Sequence, residues 1–161
     1  MTEPFVPRSG ARVLLVDDAE RTLLFRGSDP GRPGQRYWFT PGGGLDPGES
    51  RVDGAARELF EETGLRVDPA ALGEPVWRET VEFPFDRVWY RQEQDFFLLR
   101  VARWEVDTAG FDPIERATVD QHRWWTLPEL DATAEVYYPP DLPALLRRAL
   151  AQAGDRPVTA P

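Results

Sequence analysis

The sequence predicts an α+β fold in which a mixed β-sheet is flanked by helices, an α/β/α sandwich. Three observations carry that expectation. Apolar strand patterns come first and again in mid-chain, at Arg12–Arg26 and Val76–Val101. A capped helical segment, about Val52 to Thr63, separates them, and a leucine-bearing helix follows Asp141. Strands, helix, strands, helix is the order of a sheet covered by helices on its faces.

Taken in order, Thr2 to Gly10 reads as a loose, Pro-containing start. Arg12 to Val16 is a buried strand, and Thr22 to Arg26 is its hairpin partner across Asp17, Asp18 and Glu20. Gly27 to Gln35 holds three Gly and two Pro and reads as a loop. Tyr37-Trp38-Phe39 is a short aromatic strand running into Pro41 and three glycines. Ser50 with Asp53 three positions later starts the Val52–Thr63 helix, and Gly64 stops it. Val76–Phe83 and Val88–Tyr90 are strands around a turn at Asp86-Arg87, and Phe96–Val101 is a central strand. Gly110 to Asp120 reads as an acidic loop, Arg123–Thr126 as a strand and Pro128–Leu130 as the start of a short helix. Asp141 caps a last helix with Pro143 in its first turn and Leu142, Leu145, Leu146 and Leu150 on one face. A single domain over residues 1–154 is expected, with 155–161 as a frayed tail.

Composition narrows the chemistry. The chain of 161 residues has no cysteine, which removes thiol catalysis, disulfides and cysteine–zinc sites. All 19 basic residues are arginine, so lysine nucleophiles and Schiff bases are excluded. The net charge of −9 argues against a nucleic-acid polymer as partner. No apolar run reaches membrane-spanning length and the start lacks the apolar core of a signal peptide, so no membrane partner and a cytoplasmic location are expected. The negative charge is concentrated: residues 42–68 hold seven acids against three Arg, and residues 105–141 nine against two.

The first acidic block has a physical oddity. At about 100° per residue, Val52, Ala55, Ala56, Leu59, Phe60 and Thr63 share one helix face, while Glu58, Glu61 and Glu62 cluster on another. Carboxylates at i,i+3 and i,i+4 repel and raise one another's pKa unless something positive sits among them. No Arg is placed to pair all three. A hard divalent cation with oxygen ligands would satisfy them and keep positions open for phosphate. A solvated acidic helix face is the commoner fate of such a run, but here a glycine-rich turn, Gly42–Gly44, leads into it from an aromatic strand.

The pattern resembles the signature of the Nudix hydrolase (MutT-like) family. Gly43, Glu49, Arg57-Glu58-Leu59, Glu61-Glu62 and Gly64-Leu65 match at every fixed position over 23 residues. Trp38 to Gly43 resembles the strand that enters this box, and Arg123-Trp124-Trp125 with Leu127–Leu130 resembles the family's late strand and short helix. The resemblance implies the Nudix fold and hydrolysis of a nucleoside diphosphate linked to a further group, X, with Mg²⁺ or Mn²⁺. It implies Glu58, Glu61 and Glu62 as metal ligands, joined by the carbonyl of Gly42. Glu49 and Arg57 would form a bracing pair, as a bidentate guanidinium–carboxylate contact suits. The family often adds a carboxylate from a late loop; Glu115 is the first candidate and Asp120 the second. The general base stays open among Glu58, Glu61 and Glu115. Many relatives are homodimers, so a homodimer is an allowed assembly.

For substrate contacts, Trp38 and Phe83 are aromatics able to stack a base, and Arg26 and Arg36, with Arg78 and Arg91 behind them, are the candidates for phosphate or ribose. The marks of the subgroups acting on ADP-ribose, dinucleoside polyphosphates or NADH are absent after the box, which leaves a general nucleotide-housecleaning role by elimination. A silent nucleotide-sensing module on the same fold is the alternative, disfavoured by the intact box glutamates. An isomerase relative would need a cysteine.

Overall fold

The computed structural model describes residues 4–153, so the expected tail at 155–161 lies outside the described residues. In chain order the elements are β1 (Val6–Val16), β2 (Arg21–Asp29), β3 (Arg32–Phe39), β4 (Gly42–Gly44), α1 (Arg51–Thr63), α2 (Pro69–Leu72), β5 (Trp77–Phe85), β6 (Val88–Arg100), α3 (Pro113–Thr118), β7 (Val119–Thr126), α4 (Leu127–Ala132), β8 (Tyr137–Tyr138) and α5 (Leu142–Ala153).

Strand β1 organises the sheet because its two halves have different neighbours. One edge runs parallel to β6 along its whole length, from Val6 opposite Tyr90 to Val16 opposite Arg100. On the other edge β2 meets it only at the hairpin base, Val16 opposite Thr22, while β4 pairs with Gly10–Arg12. Away from that base β2 pairs with β3 and β7 instead. The full order is β5-β6-β1-β2-β3-β8, mixed as expected, with β4 and β7 branching from β1 and β2. Residues from both halves of this forked sheet line one cavity of about 1160 Å³.

Two apolar layers close the faces. Ala11, Val13, Leu15, Phe97 and Leu99 project to one side and pack under Ala55 and Leu59 of α1. The alternate residues Leu14, Val16, Phe96 and Leu98 project to the other and pack under Leu142, Leu145 and Leu146 of α5. Period-two alternation on β1 and β6 thus feeds two helices from the same strands. Each fully buried Leu or Phe contributes about 1.5–3 kcal/mol.

The sequence underestimates the strands. Val6–Gly10, expected to be loose, continues β1, because β6 supplies a partner 84 positions further on that no local pattern reveals. Most of the expected loop Gly27–Gln35 is strand, turning tightly at Pro30-Gly31. The expected acidic loop Gly110–Asp120 contains α3, opened by a reciprocal capping box between Asp112 and Glu115 with Pro113 at its first turn. That box was legible as Asp-Pro-Ile-Glu. Helix α1 keeps its predicted ends: Ser50 accepts the Asp53 N–H, and Gly64 ends it left-handed at φ 77°. Phe60, expected on the buried face, is 36% exposed and lies under the Arg66 guanidinium at 4.0 Å.

Two hairpin tips meet across the cavity rim. Asp29 Oδ1 accepts the Gly31 N–H at 2.9 Å and the Asp86 N–H at 2.6 Å, fastening the β2–β3 turn to the β5–β6 turn.

Candidate active site

Helix α1 and strand β4 carry the first part of the site. Arg57 is its hub. Its Nε and Nη2 donate to the two oxygens of Glu49 at 2.8 and 3.0 Å, and Nη2 also reaches the Gly44 carbonyl at 3.1 Å. Its Nη1 donates to Glu58 at 3.2 Å and Glu61 at 3.1 Å. One guanidinium therefore ties the loop after β4 to the helix and holds two of the three box glutamates. Glu49 sits below the usual carboxylate range, chiefly through its hydrogen bonds with Arg57.

Glu62 is outside that reach. It is buried, and its Oε1 accepts the Gly42 N–H at 2.7 Å. Only glycine fits at position 42: φ is 138°, and a Cβ would lie 2.2 Å from the Ala11 carbonyl oxygen. Helix α3 brings Glu115 in from the second acidic block. Glu58, Glu62 and Glu115 each place a carboxylate oxygen within 4.8 Å of the others. Burial, with Glu61 and Glu115 adding repulsion, pushes the Glu58 carboxyl up to about 7 against the pull of Arg57. Burial, then contact with Glu115 and the charge of Glu58, raise the Glu62 carboxyl well above its ordinary value. Hard oxygen donors, close together and reluctant to ionise alone, fit a hard divalent cation.

Glu61 lines the same cavity but stands outside the trio, more exposed and bound to Arg57. Gly42 joins the group through its N–H. Asp120 does not join it: its carboxylate binds Arg26 at 2.9 Å and Arg36 at 3.0 Å.

The expected substrate contacts divide. Phe83 lines the cavity, stacked on Tyr90 at 5.7 Å. Trp38 is buried in the α5-side layer, because alternation along β3 turns Tyr37 and Phe39 to the cavity and Trp38 away from it. Arg26 sits opposite Trp38 in the β2–β3 ladder, and Arg36 points the same way, so both lie off the cavity and share Asp120. Arg78 and Arg91 are likewise occupied, by Asp95 and Glu82.

The cavity has other arginines. Arg12 Nη1 donates to the Thr40 carbonyl at 2.9 Å and Nε to Gln94 Oε1 at 3.3 Å. Arg8 lies over the Tyr90 ring at 5.5 Å. Neither has a carboxylate partner among the described residues. Desolvation lowers the Arg12 pKa and the charge of Arg8 lowers it further, while Glu62 and Glu58 oppose both. Sequence reasoning missed this pair; the signal was a charged Arg12 inside the apolar stretch Ala11–Val16.

Comparison with known proteins agrees with this geometry. The NUDIX domain family matches residues 6–147. An RNA pyrophosphohydrolase from Erythrobacter litoralis is 39% identical over 88 residues, 48% of this chain and 54% of that protein. An 8-oxo-(d)GTP phosphatase from Mycolicibacterium smegmatis is 35% identical over 118 residues, 72% of this chain and 31% of its own length. The chain thus spans about half or less of these two relatives. The MutT protein of Methanosarcina mazei shares the fold, with a TM-score of 0.67 at 19% identity, covering 96% of this chain and all of that one. No helix among the described residues is long and apolar enough to cross a membrane. With an intact box, a forked mixed sheet and a family match over most of its length, the chain belongs to the NUDIX-domain family.

Proposed function

We propose that this protein is a divalent-metal-dependent pyrophosphohydrolase that cleaves the phosphoanhydride of a nucleoside diphosphate linked to a further group. The observation that carries it is the pairing of opposites in one cavity: three converging carboxylates suited to a hard cation, beside Arg12, whose guanidinium has no carboxylate partner among the described residues. A metal–pyrophosphate complex would answer both kinds of group at once. The names of the relatives, an RNA pyrophosphohydrolase and an 8-oxo-(d)GTP phosphatase, favour the same bond type.

Glu58, Glu62 and Glu115 would hold Mg²⁺ or Mn²⁺, with Glu61 and the Gly42 carbonyl as further ligands. The bound metal would neutralise the diphosphate and lower the pKa of an attacking water. Arg12 binds the remaining phosphate oxygens, acting as a forked donor where a lysine-free chain has no ammonium to offer. Arg57 positions Glu58 and Glu61 and fixes the β4 loop through Glu49 and the Gly44 carbonyl. The water's proton passes to a cavity carboxylate, with Glu58, Glu61 and Glu115 as the candidates.

The test is a turnover screen of nucleoside triphosphates, nucleotide sugars, ADP-ribose, dinucleoside polyphosphates and 5′-triphosphorylated RNA, with Mg²⁺ and with Mn²⁺. Release of pyrophosphate, phosphate or a nucleoside monophosphate that stops on chelation is the expected result. The absence of any product under either metal would overturn it.

A further inference from the structure

One face of the β5–β6–β1 half-sheet turns into the same cavity beyond Arg12, and its hydrogen bonds end on an unanswered atom. Alternation puts Tyr90, Gln92 and Gln94 of β6 on this face. Their cross-strand partners on β5 are Phe83, Val81 and Glu79, and Arg8 flanks Gln92 from β1.

The polarity of the amides can be worked out from the two ends. Arg12 Nε can only donate, and it meets Gln94 Oε1 at 3.3 Å. Glu79 Oε2 accepts from Gln94 Nε2 at 2.9 Å. Gln94 therefore has one orientation. Gln92 must turn its Nε2 to that same Gln94 oxygen, which it meets at 2.8 Å. This leaves Gln92 Oε1 without a donor, on a side chain only 1% exposed. An amide oxygen left so costs on the order of 1–3 kcal/mol. Gly10 makes room for it: a Cβ there would lie 2.5 Å from Gln92 Nε2. On the same face lie the stacked rings of Phe83 and Tyr90, inclined by 30°, with the Arg8 guanidinium over Tyr90 and Arg8 paired with Gln92 in the β1–β6 ladder.

We propose that this face is a nucleobase subsite in which Gln92 Oε1 accepts an N–H from the base and thereby sets base specificity. The inference rests on the nucleotide reading above. Phe83 and Tyr90 supply the stacking platform, a term common to all bases. Discrimination comes from the donor–acceptor pair. An acceptor at Gln92 beside the cationic donor Arg8 complements an N–H beside a carbonyl, the lactam edge of a 6-oxopurine or a 4-oxopyrimidine. A carbonyl oxygen, with two lone pairs, suits a guanidinium better than a single ring nitrogen does.

The test is equilibrium binding of non-hydrolysable α,β-methylene triphosphates of guanosine, uridine, adenosine and cytidine to the full chain with Mg²⁺, measured by calorimetry. Wild-type protein is expected to bind the guanosine and uridine analogues more tightly. Q92L removes the acceptor at similar volume and should weaken those two about tenfold more than the other two. Q92M serves as a second isostere if Q92L lowers the melting temperature. F83L should weaken all four to a similar degree. Equal loss for all bases in both Gln92 variants would overturn the proposal. So would no loss, or a loss that follows the ribose 2′-hydroxyl when deoxy analogues are compared. Turnover without base discrimination would sink this subsite and leave the pyrophosphohydrolase reading standing. Base-selective binding without turnover under any metal would do the reverse.

Discussion

Two buried carboxylate sites in this molecule receive opposite treatment. Asp95, 3% exposed on β6, is gripped by Arg78 at 2.7 and 3.1 Å and by Arg51 at 2.8 Å. Those two guanidiniums hold its pKa below the ordinary value even though burial, the largest single influence, pushes upward. Glu62, 2% exposed on α1, has one backbone N–H and two carboxylate neighbours, and its pKa rises. A chain with 19 arginines does not lack cations for a second such arrangement. The contrast separates a carboxylate that completes the structure from carboxylates kept available for something brought from outside.

Substitutions should break the two sites in different currencies. The largest effect is on turnover. Glu62→Gln should lower kcat/KM more than about a hundredfold, and Glu61→Gln less, since Glu61 stands outside the trio. Equal losses in steady-state assays would show that the trio is not the principal metal site. Next comes stability: Asp95→Ala removes one partner of a buried ion pair and should cost about 3 kcal/mol in denaturant unfolding. Activity per folded molecule should survive that change.

The pH dependence is third. Burial pushes the Glu58 carboxyl up to about 7 in the folded protein, against an ordinary glutamate value of about 4.5. Between those values the folded state retains a proton that the unfolded state has released. Raising pH through this window should therefore destabilise the metal-free protein, by up to about 1.4 kcal/mol per pH unit, with no further loss from this group above about 7. Saturating Mg²⁺ should flatten the slope, because the metal takes the proton's place. Thermal melts from pH 5 to 8, with and without metal, read it directly. The smallest effect runs against intuition. Glu62→Gln keeps an oxygen for the Gly42 N–H and removes a group that must either be buried charged or take up a proton on folding, so the metal-free variant should melt about 2–4 °C higher, as a gain near 1 kcal/mol would give. A lower melting temperature would mean the trio is already compensated in the free protein.

Local chemistry in this chain was written in the sequence, and long-range placement was not. Helix α1 could be drawn to its last residue because Ser50, Asp53 and Gly64 are caps that act within a few positions. The contact of Arg57 with Glu49 was implied by the resemblance to the family signature, in which both hold fixed positions. Trp38, Arg26 and Arg36 went to the wrong side of the sheet because facing depends on register: a one-residue choice reverses a strand, and the aromatic triplet Tyr37-Trp38-Phe39 has no polar alternation to fix it. Arg8 and Arg12 were passed over because β1 meets β6 across more than eighty positions. Glu115 was implied by the family's habit of adding a carboxylate from a late loop, but the helix that carries it was not expected, although its capping box was in view.

The fork of the sheet has a consequence for how the protein comes into being. Arg12 and Gln94 are 82 positions apart, and Glu115 lies further still from β1, so the cavity gathers residues from nearly the whole chain. Such distant pairings close slowly, since loop entropy must be overcome before the contacts form. During synthesis the acidic helix emerges long before the strand and short helix that complete its surroundings. The proposed metal affinity should therefore appear only once nearly the whole chain has folded, so cation retention would report finished folding.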